Sequence, residues 1–315
     1  MKAIQLTQFG GPEVMKYVEL SDPVPSANEV LIDVTAIGIN YADTHQTENS
    51  YLSPQTLPFI PGLEVTGIAD GKRVLAAVSG GGYAQKAVAN KAMTIAIPDQ
   101  VSDEQALCML VQGTTAWHIL KTVGHLKSGE SVVIHAAAGG VGSLAIQLAK
   151  MWGGKVFAVT SNDEKKKLAK ELGADEVIDA DVANLKSEIL RANGGKPVDL
   201  VLEMVGGKTT DISLDVLAPF GRLIVYGAAS RSAAQVIHPT SLMGGSKTVT
   251  GFWLAHCFGN KVLLNDVIEE LFKLTAQGKL KPIIGGTYPL SQATKAHQDM
   301  LARKTTGKIT LNPAI

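Results

Sequence analysis

The stretch Ala137-Ala138-Gly139-Gly140-Val141-Gly142 constrains this chain more than any other. Ser131–His135 before it reads as a short buried strand, and Ser143–Lys150 after it reads as an amphipathic helix. A tight strand-to-helix turn needs small residues if its backbone is to approach an anion. The helix that follows offers unpaired N–H groups and a partial positive charge. The pattern is A-x-G-x-x-G, with Ala137 where the first glycine usually stands. That arrangement suits the pyrophosphate of a dinucleotide, provided the surrounding strands and helices alternate correctly.

They do alternate. Lys155–Thr160, Glu176–Asp179, Pro197–Glu203, Gly221–Tyr226 and Lys247–Trp253 read as further strands. Between them Asp163–Leu172, Val182–Ala192 and Thr209–Leu217 carry helical patterns, the first closed by Gly173. Apolar strands alternating with helices predict a doubly wound parallel sheet, and six strands make a full dinucleotide fold.

The first 110 or so residues differ in character. Short alternating strands, such as Glu29–Thr35 and the pair around Gly67–Ala69 and Arg73–Val78, are separated by glycine- and proline-rich turns. Asp70-Gly71 reads as a two-residue hairpin turn. Residues 260–281 read as a helix and Gly307–Leu311 as a final strand returning to this mostly β domain. Lys plus Arg equals Asp plus Glu at 29 each, so no net field favours nucleic acid or an anionic membrane. No apolar stretch approaches the ~20 residues of a membrane span, and the start lacks a signal-peptide pattern. Two cysteines, Cys108 and Cys257, give no disulfide framework and read as buried small hydrophobes. A cytoplasmic, reducing setting is the expectation.

Phe9–Val14, Gly38–Asp43, Pro61–Glu64, Ala136–Gly142, Leu172–Asp175, Gly221–Gly227 and Thr306–Lys308 occur in one order and spacing. Together they resemble the medium-chain dehydrogenase/reductase superfamily, and within it the zinc-free NADPH:quinone oxidoreductases related to zeta-crystallin. The resemblance spans essentially the whole chain. It implies an α/β protein: a GroES-like mostly-β catalytic domain, residues 1–112 and 256–315, and a Rossmann dinucleotide-binding domain, residues 113–255. Zinc-dependent relatives place Cys, His and Cys where this chain has Asn40, Leu63 and Gln112. Only Glu64 remains, and one carboxylate does not hold zinc. Without that Lewis acid, hydride delivery to an electron-poor acceptor is the chemistry left open.

At the end of the second strand, about 20 residues after the glycines, an NAD enzyme usually has an acidic residue for the ribose 2′-hydroxyl. Thr160-Ser161-Asn162 stands there, with Lys165 following, which favours NADPH; Asp163 is the rival reading. The resemblance further implies Ala138, Gly139, Gly140, Val141 and Gly142 at the pyrophosphate, and Ser161 and Lys165 at the 2′-phosphate. Gly206, Tyr226 and Gly227 would line the adenosine and ribose side. Asn40 would meet the nicotinamide ribose, and the backbone of Phe252, Trp253 and Leu254 the carboxamide. Where relatives carry a tyrosine this chain has His45, and where a residue covers the adenosine it has Ala180. Tyr51 matches a tyrosine at the substrate mouth and could donate to a carbonyl oxygen as charge develops. The alternative is a loop aromatic packed on Pro54 or Pro58. His45 is a second candidate proton donor, unless it is simply a solvated loop residue. Asp43 reads as a buried structural acceptor.

Three functions follow. The leading one is direct hydride transfer from NADPH to a quinone. A second is reduction of an enone or enoyl thioester, which requires a proton donor. A third is a non-catalytic NADPH-binding protein. Residues 248–255 form an apolar strand at the expected sheet edge, suited to pairing in a homodimer.

Overall fold

The structure is a computed structural model covering residues 1–315. The chain divides into two compact units, Met1–Gln112 with Cys257–Ile315, and Gly113–His256.

In the second unit six strands form one sheet. Taken along the chain as first to sixth, they are Ser131–Ile134, Lys155–Thr160, Glu176–Asp179, Val198–Glu203, Leu217–Val225 and Thr248–Gly251. Their spatial order is third, second, first, fourth, fifth, sixth, and every pairing is parallel. The sequence reverses direction between the first and fourth strands, and their C-terminal ends form the crevice where such sheets bind ligands. The strands are apolar because helices cover both faces. Val133, Phe157, Ile178, Val201 and Leu223 form one buried cluster with Leu185 and Ile189 from a covering helix.

Two local departures from the sequence pattern have clear causes. The helix expected from Val182 begins at Leu185. The Asp181 carboxylate accepts from the Ala183 amide at 3.1 Å and the Asn184 side chain at 3.0 Å, holding a turn ahead of it. The helix expected over 260–281 is confined to Asn265–Ala276, with the Asn260 side chain accepting from the Leu263 amide before it.

The first unit is built on a seven-stranded sheet. Glu29–Ile39 pairs with Glu64–Ala69, Lys86–Asn90 and the final strand Lys308–Asn312, all antiparallel. The C-terminal segment therefore completes the N-terminal sheet. Asp70 and Gly71, with φ of 49° and 73°, make the two-residue turn joining Ala69 to Lys72. The core gathers Ile32, Ile37, Val65, Tyr83, Ile309 and Leu311.

Candidate functional site

The glycine turn sits at the C-terminal end of the first strand of the parallel sheet. Ala136, not Ala137, takes the left-handed conformation, with φ of 49°. The turn is laced to its neighbours: the His135 amide donates to Leu202 at 3.2 Å and the Ala137 amide to Val159 at 3.1 Å. Gly139 caps the helix Gly140–Met151. The first-turn amides of Gly140, Val141 and Gly142 have no acceptor within the helix and are free to bind an anion. A Cβ on Gly142 would lie 2.5 Å from the Ala136 oxygen and 2.6 Å from the Ala137 Cα. Only glycine lets the helix come this close to the turn.

Across the reversal point, Glu203 ends the fourth strand fully buried. Its carboxylate accepts from the Val205 amide at 2.6 Å, the Gly206 amide at 3.1 Å and the Thr210 hydroxyl at 2.7 Å. It thereby ties the Met204–Gly207 loop into a fixed shape. The Ala229 and Ser230 amides then donate to Met204 and Val205, and the Tyr226 amide to Glu203. Gly206, Tyr226 and Gly227 are thus gathered into one wall. Phe252 joins the same edge, its amide donating to Val225 at 2.9 Å and its ring 5.6 Å from that of His118. Leu254 is buried and Trp253 half-buried just beyond.

The residues of the two cofactor readings meet at the end of the second strand. Asn162 caps the next helix, its Oδ1 accepting from the Lys165 amide at 2.9 Å. That cap leaves Ser161 exposed and turns the Asp163 side chain outward, 99% exposed and 3.3 Å from Lys166. Lys166 also pairs with Asp179 at 2.8 Å, so it is a structural part of this corner. Lys165 is half-buried in the first turn. Thr160 is buried with its hydroxyl unpartnered, and Ala180 donates its amide to the Thr160 carbonyl. A glycine turn of close approach, a free helix N-terminus and a carboxylate-braced opposite loop fit a dinucleotide.

The first unit holds the other candidate residues. Asn40 and Asp43 form a capping box that starts the short helix Tyr41–Thr47, the Asp43 carboxylate accepting from the Asn40 amide at 2.9 Å. This corrects the reading of His45 as a solvated loop residue. It lies in the last turn of that helix, only 8% exposed, with Nδ1 3.1 Å from the Ser50 hydroxyl. Its ring is 5.8 Å from Tyr41 and 6.1 Å from Tyr51, so Tyr51 and His45 are neighbours. Asp43 is the buried acceptor expected: its other partner is the Tyr83 hydroxyl at 2.8 Å, itself 2.9 Å from His297 Nε2. Burial pushes the Asp43 carboxyl up to about 7, against the bonds from Asn40 and Tyr83. Burial also pushes the Cys108 thiol up to about 12, which leaves it inert.

The sequence reading had Lys308 only as the end of the Thr306–Lys308 motif and gave it no role. It is fully buried, donating to Glu64 Oε1 and, at 3.1 Å, to Asn40 Oδ1. Asn40 Nδ2 donates to the same Glu64 oxygen at 2.7 Å, and the Val111 amide to Glu64 Oε2 at 3.1 Å. A lysine opening an otherwise apolar strand, Lys308-Ile-Thr-Leu, was the available signal. Glu203, closing an apolar strand, was another. No group of three or more His, Cys, Asp or Glu side chains is placed to hold a metal ion.

One unit with a parallel sheet of this reversal and glycine turn, and another with a mixed, mostly antiparallel sheet completed by the C-terminal strand, define the medium-chain dehydrogenase/reductase class of oxidoreductase. The profile of the alcohol dehydrogenase GroES-like domain matches residues 26–99, and that of zinc-binding dehydrogenases matches residues 140–277. The chain is 34% identical to a quinone oxidoreductase of Pseudomonas aeruginosa, covering 99% of both chains. Among solved structures, a mycobacterial protein complexed with NADPH is 36% identical with a TM-score of 0.94, covering 99% of this chain and 100% of that one. The Escherichia coli quinone oxidoreductase complexed with NADPH is 32% identical with a TM-score of 0.93, over 99% and 100%. The chain belongs to the quinone oxidoreductase family of that class.

Proposed function

We propose that this chain is an NADPH-dependent quinone reductase that works without zinc. The carrying observation is a dinucleotide edge whose ribose end offers Ser161 and Lys165, while Asp163 faces solvent and Asp179 is paired with Lys166. Relatives bearing the quinone oxidoreductase name, over the full length of the chain, support the acceptor class. The cofactor supplies a hydride, and the balance is NADPH + H⁺ + quinone → NADP⁺ + hydroquinone.

The residues divide the remaining work. Amides from Ala138 to Gly142 bind the pyrophosphate, and Ser161 and Lys165 bind the 2′-phosphate. Gly206, Tyr226 and Gly227 line the adenosine and ribose side, and the Phe252–Leu254 backbone orients the carboxamide. Asn40 contacts the nicotinamide ribose, its amide held at both ends by Lys308 and Glu64. The Tyr51 hydroxyl donates to the acceptor's oxygen as charge develops, with His45 as its buried neighbour. A metal is not needed for an acceptor that is already electron-poor. Asn40, Leu63 and Gln112 are poor zinc ligands, and the Glu64 carboxylate is committed to Lys308, Asn40 and Val111.

Thr248–Gly251 lies at the open edge of the parallel sheet, which supports homodimer pairing through residues 248–255. No helix is long and apolar enough to cross a membrane, and both cysteines are free and buried, which fits a cytoplasmic setting.

The test is steady-state oxidation of NADPH and NADH by 1,4-benzoquinone and 9,10-phenanthrenequinone with EDTA present. Rapid turnover preferring NADPH is expected. Preference for NADH would refute the 2′-phosphate assignment, and turnover only on enones would move the chain to the double-bond reductases.

A further inference from the structure

Met109–Gly113 is a π turn, a distortion that pushes backbone groups out of the helical ladder and recurs at functional positions. Its Val111 amide is directed to Glu64 Oε2. The next residue, Gln112, is 8% exposed, and its side-chain carbonyl oxygen has no hydrogen-bond partner. The polar cluster that begins one residue away is internally matched. Lys308 neutralises Glu64, and the Asn40 amide is engaged through both its oxygen and its nitrogen. Gln112 Oε1, beside that cluster, is one of five buried side-chain atoms without a partner, with Asp43 Oδ1, Gln46 Oε1, Thr160 Oγ1 and His297 Nδ1. A buried acceptor left unpaired destabilises the free protein, and such groups call for an explanation.

We infer that Gln112 is a substrate-contacting residue whose side-chain amide holds the oxygen of the electron-accepting quinone. The inference rests on the quinone-reductase reading above. A quinone carbonyl carries only lone pairs and meets the Nε2 end of the amide. After hydride and one proton from water have arrived, that oxygen is a hydroxyl and donates to Oε1. A primary amide serves both states by turning about its terminal bond, and is itself neither oxidised nor reduced.

Gln112→Met keeps the length of the side chain and removes the unpaired carbonyl. Its ligand-free form should melt about 1–3 °C above the wild type, because the unsatisfied group is gone. Its kcat/KM for 1,4-benzoquinone should fall at least about tenfold, with the NADPH dissociation constant within about twofold of wild type. Gln112→Ala is the second variant: a lower melting temperature from the lost packing, but the same loss on the quinone. Opposite stability changes with one shared catalytic loss would not arise from a merely structural glutamine. Wild-type quinone kinetics in either variant, or a loss that falls on NADPH affinity instead, overturns the inference. A wild type inactive on quinones would instead refute the reading beneath it, and the melting temperature of Gln112→Met would still report on the unpaired carbonyl.

Discussion

Adding one methyl group to the glycine turn should separate stability from cofactor binding, according to which glycine receives it. At Gly142 the new Cβ would stand 2.5, 2.6 and 2.8 Å from three backbone atoms of Ala136 and Ala137. Backbone cannot rotate aside as a side chain can, so the helix Gly140–Met151 must retreat by about 1 Å to restore ordinary contact. Overpacking of this kind costs about 1–3 kcal/mol, a fall of roughly 2–5 °C in melting temperature for a chain of this size. The retreat also moves the anion-binding amides, so NADPH affinity falls too. At Gly139 the same methyl meets only the Ala136 oxygen, at 3.2 Å, with φ of −79° that alanine accepts. Gly139→Ala should therefore melt within about 2 °C of wild type while NADPH binding weakens at least about tenfold, because the methyl occupies the phosphate's approach. Differential scanning fluorimetry with and without NADPH, and titration of the reduced nicotinamide's fluorescence, read both quantities. A Gly142→Ala protein with wild-type melting temperature would refute the close-approach argument.

Other perturbations have equally definite outcomes. Lys308→Met strands a buried Glu64 carboxylate and should cost about 3–5 kcal/mol in urea unfolding, whereas Glu64→Gln with Lys308→Met recovers much of it; a double variant no better than the single one would contradict the pairing. Glu203→Ala removes the acceptor of the Val205 and Gly206 amides and of the Thr210 hydroxyl, which should cost about 2–3 kcal/mol and speed hydrogen exchange across Val205–Gly207; unchanged exchange would contradict its bracing role. Acid stability follows from three buried groups. His135 and His297 are pushed down by burial from 6.5 to about 4, so each binds fewer protons folded than unfolded, and its contribution is lost as pH falls. Asp43, raised from 3.8 to about 7, runs the other way: its contribution is greatest near pH 4 and is lost as pH rises to 7. The net is one proton, so stability should rise by about 1.4 kcal/mol per unit between about pH 4 and 6.5. Asp43→Asn removes the opposing group and should roughly double that slope; urea unfolding across the window checks it, and an unchanged slope would contradict the assignment.

The parallel sheet was legible because its signals are local and repeated. Apolar runs such as Lys155–Thr160 alternate with helices capped by residues such as Asn162, and the glycine turn fixes where the ligand edge lies. The Asp70-Gly71 hairpin was legible for the same reason, since the turn type follows from two residues. What the sequence hid depends on distant partners. Lys308 meets Glu64 and Asn40 across 244 and 268 residues, and nothing near any of them announces the meeting. The helix around His45 was hidden for a subtler reason. It has seven residues, too few for a visible period, and exists because the Asn40–Asp43 capping box closes its first turn. Gln112 drew notice only as a position where zinc-dependent relatives place a cysteine; its unpaired carbonyl could not be read, because that is a property of its surroundings.

The central claim is direct delivery of a hydride from NADPH to a quinone. Single-turnover stopped flow, with EDTA-treated enzyme and NADPH deuterated on either face of C4, tests it most directly. The account predicts that deuterium on one face alone slows NADPH oxidation by 1,4-benzoquinone and is lost from the cofactor, at a rate unchanged by EDTA. Oxidation insensitive to deuterium on both faces, or abolished by EDTA and restored by zinc, would contradict it.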